Sequence, residues 1–110
     1  MYETVQKFSR RQGGEKTTMQ AIERGGLLLI PRVTDMRNGF FRPEVVYRKG
    51  KASDVVFGDV HVSYARCSSI AEHAALAAWM MSAGLGGAWE ECARGLANCQ
   101  RVAEVLVGSL

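Results

Sequence analysis

Residues 68–84 read SSIAEHAALAAWMMSAG. The stretch predicts a helix, with Ser69 and Glu72 at the S-x-x-E spacing of a capping box. At 100° per residue, Ile70, Ala74, Ala77 and Met81 fall in one stripe. Leu76, Trp79 and Ala83 fall nearly opposite, beside Glu72. A helix with so few polar side chains needs cover on two flanks. The alanine-rich stripe suits close approach to a sheet, and the second stripe requires another element.

The text downstream offers that element. GLGGA (84–88) reads as a joint, and WEECARGLANCQRVAEVLV (89–107) reads as an amphipathic helix. Trp89, Cys92, Leu96, Cys99, Ala103 and Leu106 share its apolar face, while Glu90, Arg94, Asn98 and Arg101 lie on the other side. Glu90 and Arg94 stand in the favoured i,i+4 order. The 68–84 helix is therefore expected between the sheet and this last helix. Val102 and Val105 are expected on the outer face, where with Trp79 they form a candidate subunit or partner contact compatible with a homodimer.

The text upstream is β in character. LLLIPRV (27–33) reads as a strand, with Pro31 marking an edge or a bulge. Asn38-Gly39 is a hairpin turn signal. FRPEVVYRK (41–49) returns, with Phe41, Val45 and Tyr47 on one face and Arg42, Glu44, Val46 and Arg48 on the other. DVVFGDVHVSYAR (54–66) is a third strand, or two, with Gly58-Asp59 as either a turn or a bulge. Val60, Val62 and Tyr64 share one face of it, and His61 and Ser63 the other. Before the strands, TTMQAIERGG (17–26) predicts a short helix over 18–24, from the Thr17/Gln20 spacing and the Gly25-Gly26 stop. Residues 1–16 read as a polar loop. The fold class expected is α+β in a single domain over 1–110: an antiparallel sheet of three or four strands, two C-terminal helices on one face, and a short N-terminal helix.

The totals agree with one modest core: 110 residues, 47% hydrophobic and 23% charged. No apolar run approaches the ~20 residues of a membrane-spanning helix, and no secretory segment opens the chain. A cytoplasmic location without membrane contact is expected. Three cysteines at wide spacing, Cys67, Cys92 and Cys99, argue for reduced buried thiols rather than a disulfide framework or zinc. No cofactor and no metal is expected.

Charge is uneven. Residues 1–66 hold 12 Lys and Arg against 7 Asp and Glu, a balance of +5, and residues 67–110 hold 2 against 4, a balance of −2. A basic half points to an anionic partner. The candidate binding residues are Arg32, Arg42, Arg48 and His61 on one side of the strands, with Arg37 and Lys49 at the turns; Arg forks suit carboxylate and phosphate. Nucleic-acid recognition would ask for aromatics on that same face, whereas Phe41, Tyr47, Phe57 and Tyr64 are expected to point inward. The segment FSRRQGGEK (8–16) is basic but lacks the order of a phosphate-binding loop. Cys67 is the one nucleophile candidate: Arg66 and the following helix would lower its pKa, with His61 or His73 as base. No third orienting group is in sight, and a non-enzymatic role is preferred.

The order FRPEVVYRKGK, VHVSYA, SIAEHAALAAWMMSAG resembles, over roughly residues 27–84, many tiny α+β proteins of bacteria and their phages, anti-CRISPR proteins among them. The resemblance is one of pattern and carries no residue assignments. It implies an inhibitor that occupies a surface of a nucleic-acid-handling complex. Inhibitors that mimic nucleic acid are acidic, so for this basic chain a binder of acidic protein surface is the expectation. The alternatives are a small basic DNA- or RNA-binding domain and a thiol enzyme using Cys67.

Overall fold

The computed structural model describes residues 16–84 and 97–109. Five strands come first: β1 (Lys16–Thr18), β2 (Ile22–Arg24), β3 (Leu27–Asp35), β4 (Phe41–Lys49) and β5 (Ala52–Phe57). Two helices follow, α1 (Tyr64–Ser82) and α2 (Ala97–Ser109). All strand pairings are antiparallel, in the order β1-β3-β4-β5, with β2 also on β3. Both helices contribute to one hydrophobic cluster with the same sheet face, through Leu27, Leu29 and Val45. The class is α+β, as expected. The expected residues 1–15, the joint at 85–88 and the first part of the last helix, with Trp89, Cys92 and the Glu90–Arg94 pair, lie outside the described residues.

The helix expected over 18–24 is replaced by β1 and β2, which raises the strand count to five. Gly25 and Gly26 are not a helix stop. Their φ values of 56° and 85° form the primed turn that joins β2 to β3 as a hairpin. Pro31 explains why this edge is split. Its carbonyl accepts from the Met19 N–H at 2.9 Å, so its missing N–H falls on the same side, toward β1 and β2. There the pairing shifts by one residue, from Lys16↔Thr34 and Thr18↔Arg32 to Ile22↔Leu29 and Arg24↔Leu27. The added residue reverses side-chain parity and turns Ile22 toward the core.

A second one-residue insertion follows β5. Glu44 pairs with Phe57, whereas Phe41 pairs with His61, so three steps on β4 face four on the other chain. The chain at Gly58-Asp59 is thus bulged rather than turned back. Gly58 is buried at this crossing. A Cβ there would stand 3.3 Å from both Pro43 Cγ and Val102 Cγ2.

The strand expected to reach residue 66 ends at Phe57, and the helix opens at Tyr64 rather than Ser69. Ser63 takes the cap instead: its extended backbone turns into the helix and its Oγ accepts from the Arg66 N–H at 3.1 Å. Val60 and Val62 are consequently exposed in the connection. Ser69 lies inside the helix, where its carbonyl accepts from His73 Nδ1–H at 2.8 Å.

In α1 the buried positions are Cys67, Ile70, Ala71, Ala74, Ala75, Ala77 and Ala78. They form one broad arc, about 160° at 100° per residue. The sheet and α2 therefore cover adjoining flanks, and Leu76 remains 38% exposed. In α2, Cys99, Val102, Ala103 and Leu106 are buried. Val102 is accordingly a core residue, not an outer one, because α2 lies over β5 as well as α1. Trp79 is half-buried against the core, with the Arg24 guanidinium 5.5 Å from its ring centroid. Of the expected contact trio only Val105 stays exposed.

Replacing Gly58 by Val forces a branched side chain between Pro43 and Val102. It is expected to lower stability by about 1–3 kcal/mol, read as a lower urea midpoint at unchanged slope.

Candidate binding face

Strand register decides which side chains meet. β3 and β4 pair as Leu28↔Arg48, Ile30↔Val46, Arg32↔Glu44 and Thr34↔Arg42. β5 adds Phe57 beside Glu44, Val55 beside Val46 and Ser53 beside Arg48. β1 adds Lys16 beside Thr34, and β2 adds Glu23 beside Leu28. These residues occupy the sheet face opposite the helices. The face carries four cations, Lys16, Arg32, Arg42 and Arg48, against two carboxylates, Glu23 and Glu44. Arg32, Arg42 and Arg48 share a side, as the alternation predicts.

At the centre of this face lies Glu44, with 1% of its side chain exposed. Arg32 donates from Nε to Oε1 at 2.8 Å, and its terminal nitrogen lies 2.7 Å from the same oxygen. Arg42 donates to Oε2 from Nε at 3.1 Å and from a terminal nitrogen at 2.8 Å. The Thr34 hydroxyl donates to Oε2 at 2.7 Å and accepts from Lys16 Nζ at 3.2 Å. Burial alone would push the Glu44 carboxyl up. The Thr34 hydroxyl and the Arg42 and Arg32 guanidiniums outweigh it and hold the carboxyl below its ordinary value of 4.5.

The arginines are in turn held in place. Arg32 and Arg42 retain 19% and 27% side-chain exposure, and the Arg42 guanidinium stacks 4.2 Å from the Phe57 ring centroid. Phe57 is 57% exposed. The expectation that it points inward is overturned, because it continues the parity of Val55 and Ser53. Arg48 is exposed and makes no ion pair among the described residues. The face thus combines one fixed, partly neutralised arginine pair with one free arginine and one exposed aromatic ring, against which Arg42 already stacks.

Two expected members fall on the helix side, and Arg37 keeps its expected place in a turn. His61 is carried to the helix side by the bulge at residues 58–60, and Asn98 Nδ2 donates to its Nε2 at 3.0 Å. Lys49 pairs with Leu27 and so also falls on the helix side. There it lines a cleft of about 380 Å³ with Arg24, Gly25, Leu27, Ser82 and Val107. Arg37 sits in the β3–β4 turn with a φ of 73°, its N–H donating to Asp35 Oδ1 at 2.8 Å. Glu44, Thr34 and Lys16 are members that sequence reasoning missed. The alternation places Glu44 on the arginine face, but only the register shows that it lies between the two arginines.

Cys67 does not have the setting of a nucleophile. It is fully buried, and its Sγ–H donates to the Phe41 carbonyl at 3.3 Å. Burial raises its pKa, outweighing the lowering effects of the His61 backbone and the Arg66 charge. Cys99 is buried too, and burial pushes its thiol up to about 12. Among the described residues no group of three His, Cys, Asp or Glu is placed to hold a metal ion. No helix among them is long and apolar enough to cross a membrane.

Comparison with family models, with curated proteins and with solved structures finds no match to this chain.

Two outcomes follow from this geometry. A carboxyl lowered on folding adds stability that is present above the unfolded value near 4.5 and is lost as pH falls through the folded one. Glu44→Gln is expected to cost about 2–3 kcal/mol at neutral pH, since it leaves two guanidiniums facing each other. It is also expected to flatten the loss of stability below pH 4.5. Denaturant melts at a series of pH values check both. Separately, Cys67 and Cys99 are expected to resist iodoacetamide at neutral pH in the native protein and to react after denaturation, as mapped by peptide mass spectrometry.

Proposed function

We propose that this chain is a non-enzymatic interaction module that meets an acidic protein surface through the arginine-bearing face of its sheet. The observation that carries this reading is the concentration of Arg32, Arg42, Arg48 and Lys16 on the face that α1 and α2 leave uncovered. Glu44 fixes the guanidiniums of Arg32 and Arg42 before any partner arrives. Fixed forks lose less conformational entropy on binding than mobile ones. Arg48 supplies the unneutralised charge, and Phe57 and Val55 supply apolar area beside it. This combination of aromatic, arginine and polar rim suits a protein contact.

The pattern-level resemblance to small anti-CRISPR-type proteins supplies the class of partner: an effector complex that handles nucleic acid, obstructed by steric occupation. The balance of charge on the face favours an acidic protein patch of such a complex over mimicry of its nucleic acid.

A second reading, direct DNA or RNA binding, is favoured by Phe57. An exposed aromatic ring beside arginines is the arrangement on which an unpaired base stacks. Phe57→Ala separates the two, because loss of a stacking platform weakens single-strand binding more than it weakens a charge-led protein contact.

The test uses Arg48→Glu together with Lys16→Glu, which leaves both Arg–Glu44 bridges in place. Expressed in bacteria that carry an active CRISPR system, the wild-type chain is expected to restore phage plaquing, and the double variant to lose that effect at an unchanged melting temperature. From nuclease-treated lysate, capture of a partner is expected to weaken at high salt and in the variant. Full activity and capture by the folded variant would remove the arginine face from the function. Retention only before nuclease treatment would favour the second reading.

A further inference from the structure

Two cations meet at one end of the sheet, on its helix side. Arg24 and Lys49 both pair with Leu27, one from β2 and one from β4. Residues directly opposite one another share a face, and Leu27 belongs to the core. The three side chains therefore stand in one row with Leu27 in the middle. Two strand spacings separate the cations, about 10 Å at the backbone, and their long side chains can close onto one group between them. They flank the cleft of about 380 Å³ that Gly25, Leu27, Ser82 and Val107 complete. Among the described residues no carboxylate lines it, and neither cation makes an ion pair. The nearby end of α1 has already used its carbonyls. The Ala83 N–H donates to the Trp79 and Met80 carbonyls at 3.2 and 3.1 Å, and the Gly84 N–H donates to the Met81 carbonyl at 3.0 Å. The Arg24 guanidinium stands 5.5 Å from the Trp79 ring centroid, which orients it before any ligand arrives.

We propose that this cleft binds a phosphate monoester with a compact apolar body. Near neutral pH such a phosphate carries a charge of about −1.5 to −2, which matches two cations on opposite walls. Its three terminal oxygens let the Arg24 fork and the Lys49 ammonium bind from different sides. A carboxylate offers only two oxygens, which a single fork occupies. The apolar body lies against Leu27 and Val107. The volume falls within the range of small-molecule sites, about 300–1,000 Å³, and a phosphate alone leaves most of it unfilled. The site does not rest on the acidic-partner reading. It opens on the helix side of the sheet, and Arg32, Arg42 and Arg48 take no part in it.

Titration of the isotope-labelled chain with phenyl phosphate, inorganic phosphate and phenol, followed by NMR, tests the site. Phenyl phosphate is expected to shift the amides of Arg24, Gly25, Lys49 and Ser82 saturably. It is expected to bind about tenfold more tightly than inorganic phosphate, since the ring adds apolar burial. Phenol, which lacks the charge, is expected to shift them far less. Lys49→Met keeps the stem of an exposed side chain and removes its charge. The variant is expected to keep the circular dichroism of the wild type and to bind phenyl phosphate about tenfold more weakly. Arg24→Gln is expected to weaken binding at least as much. Failure to saturate by about 10 mM, weaker than two charged contacts should give, overturns the proposal. So do shifts confined to Arg32, Arg42 and Arg48, or equal binding of inorganic and phenyl phosphate. Undiminished binding by the folded Lys49→Met variant overturns it as well. If that variant does not fold, undiminished binding by Arg24→Gln does so.

Discussion

Side chains along a β-strand alternate strictly, so each inserted residue reverses every position after it until the next insertion. Two such insertions organise this protein. The first, opposite Pro31, turns Ile22 into the core and brings Arg24 over Trp79. The second, after Phe57, carries His61 across to α2 while leaving Phe57 on the opposite face. Between them β3 and β4 run nine residues each without interruption. That uninterrupted ladder keeps Arg32, Arg42 and Arg48 together.

The same ladder brings a carboxylate under the arginines. Removing a carboxylate from water costs several kcal/mol, and Glu44 is nearly fully enclosed. The cost is met by two guanidiniums and the Thr34 hydroxyl, which satisfy both oxygens. The arrangement changes what the basic half of the chain can offer. Two of its arginines are structural supports as well as surface groups, and the freely available charge is smaller than the composition suggests. Their geometry is correspondingly better defined, with Phe57 beneath Arg42 as one further restraint.

On the other face, packing is governed by small side chains. Five alanines of α1 are buried together, and their size lets the sheet and α2 both approach that helix. Close approach leaves no room at the crossing of the chain after β5. Gly58 is wedged between Pro43 and Val102, and Val102 is thereby drawn into the core. Among the described residues the large apolar side chains left exposed are spread out, and include Phe57 on β5, Val60 and Val62 in the connection after it, Leu76 on α1 and Val105 on α2.

The sequence by itself determined the class, α+β, and the antiparallel order of β3, β4 and β5. It also determined the burial of the alanine stripe and the shared face of Arg32, Arg42 and Arg48. Each of these follows from a local period of two or 3.6 residues. It misplaced what depends on a count between distant residues. Asn38-Gly39 as a two-residue turn would set Arg48 opposite Leu29, yet the connection is five residues long and sets Arg48 opposite Leu28. Thr17/Gln20 and Ser69/Glu72 carry capping spacing, but partners on β3 and the earlier cap at Ser63 prevail. Only the tertiary structure decided that Glu44 sits between two arginines, that His61 faces α2 and that Cys67 is sealed beneath Phe41. The physical reason is that register and bulges are set by the summed fit of strands and helices, and no short window of residues contains that sum.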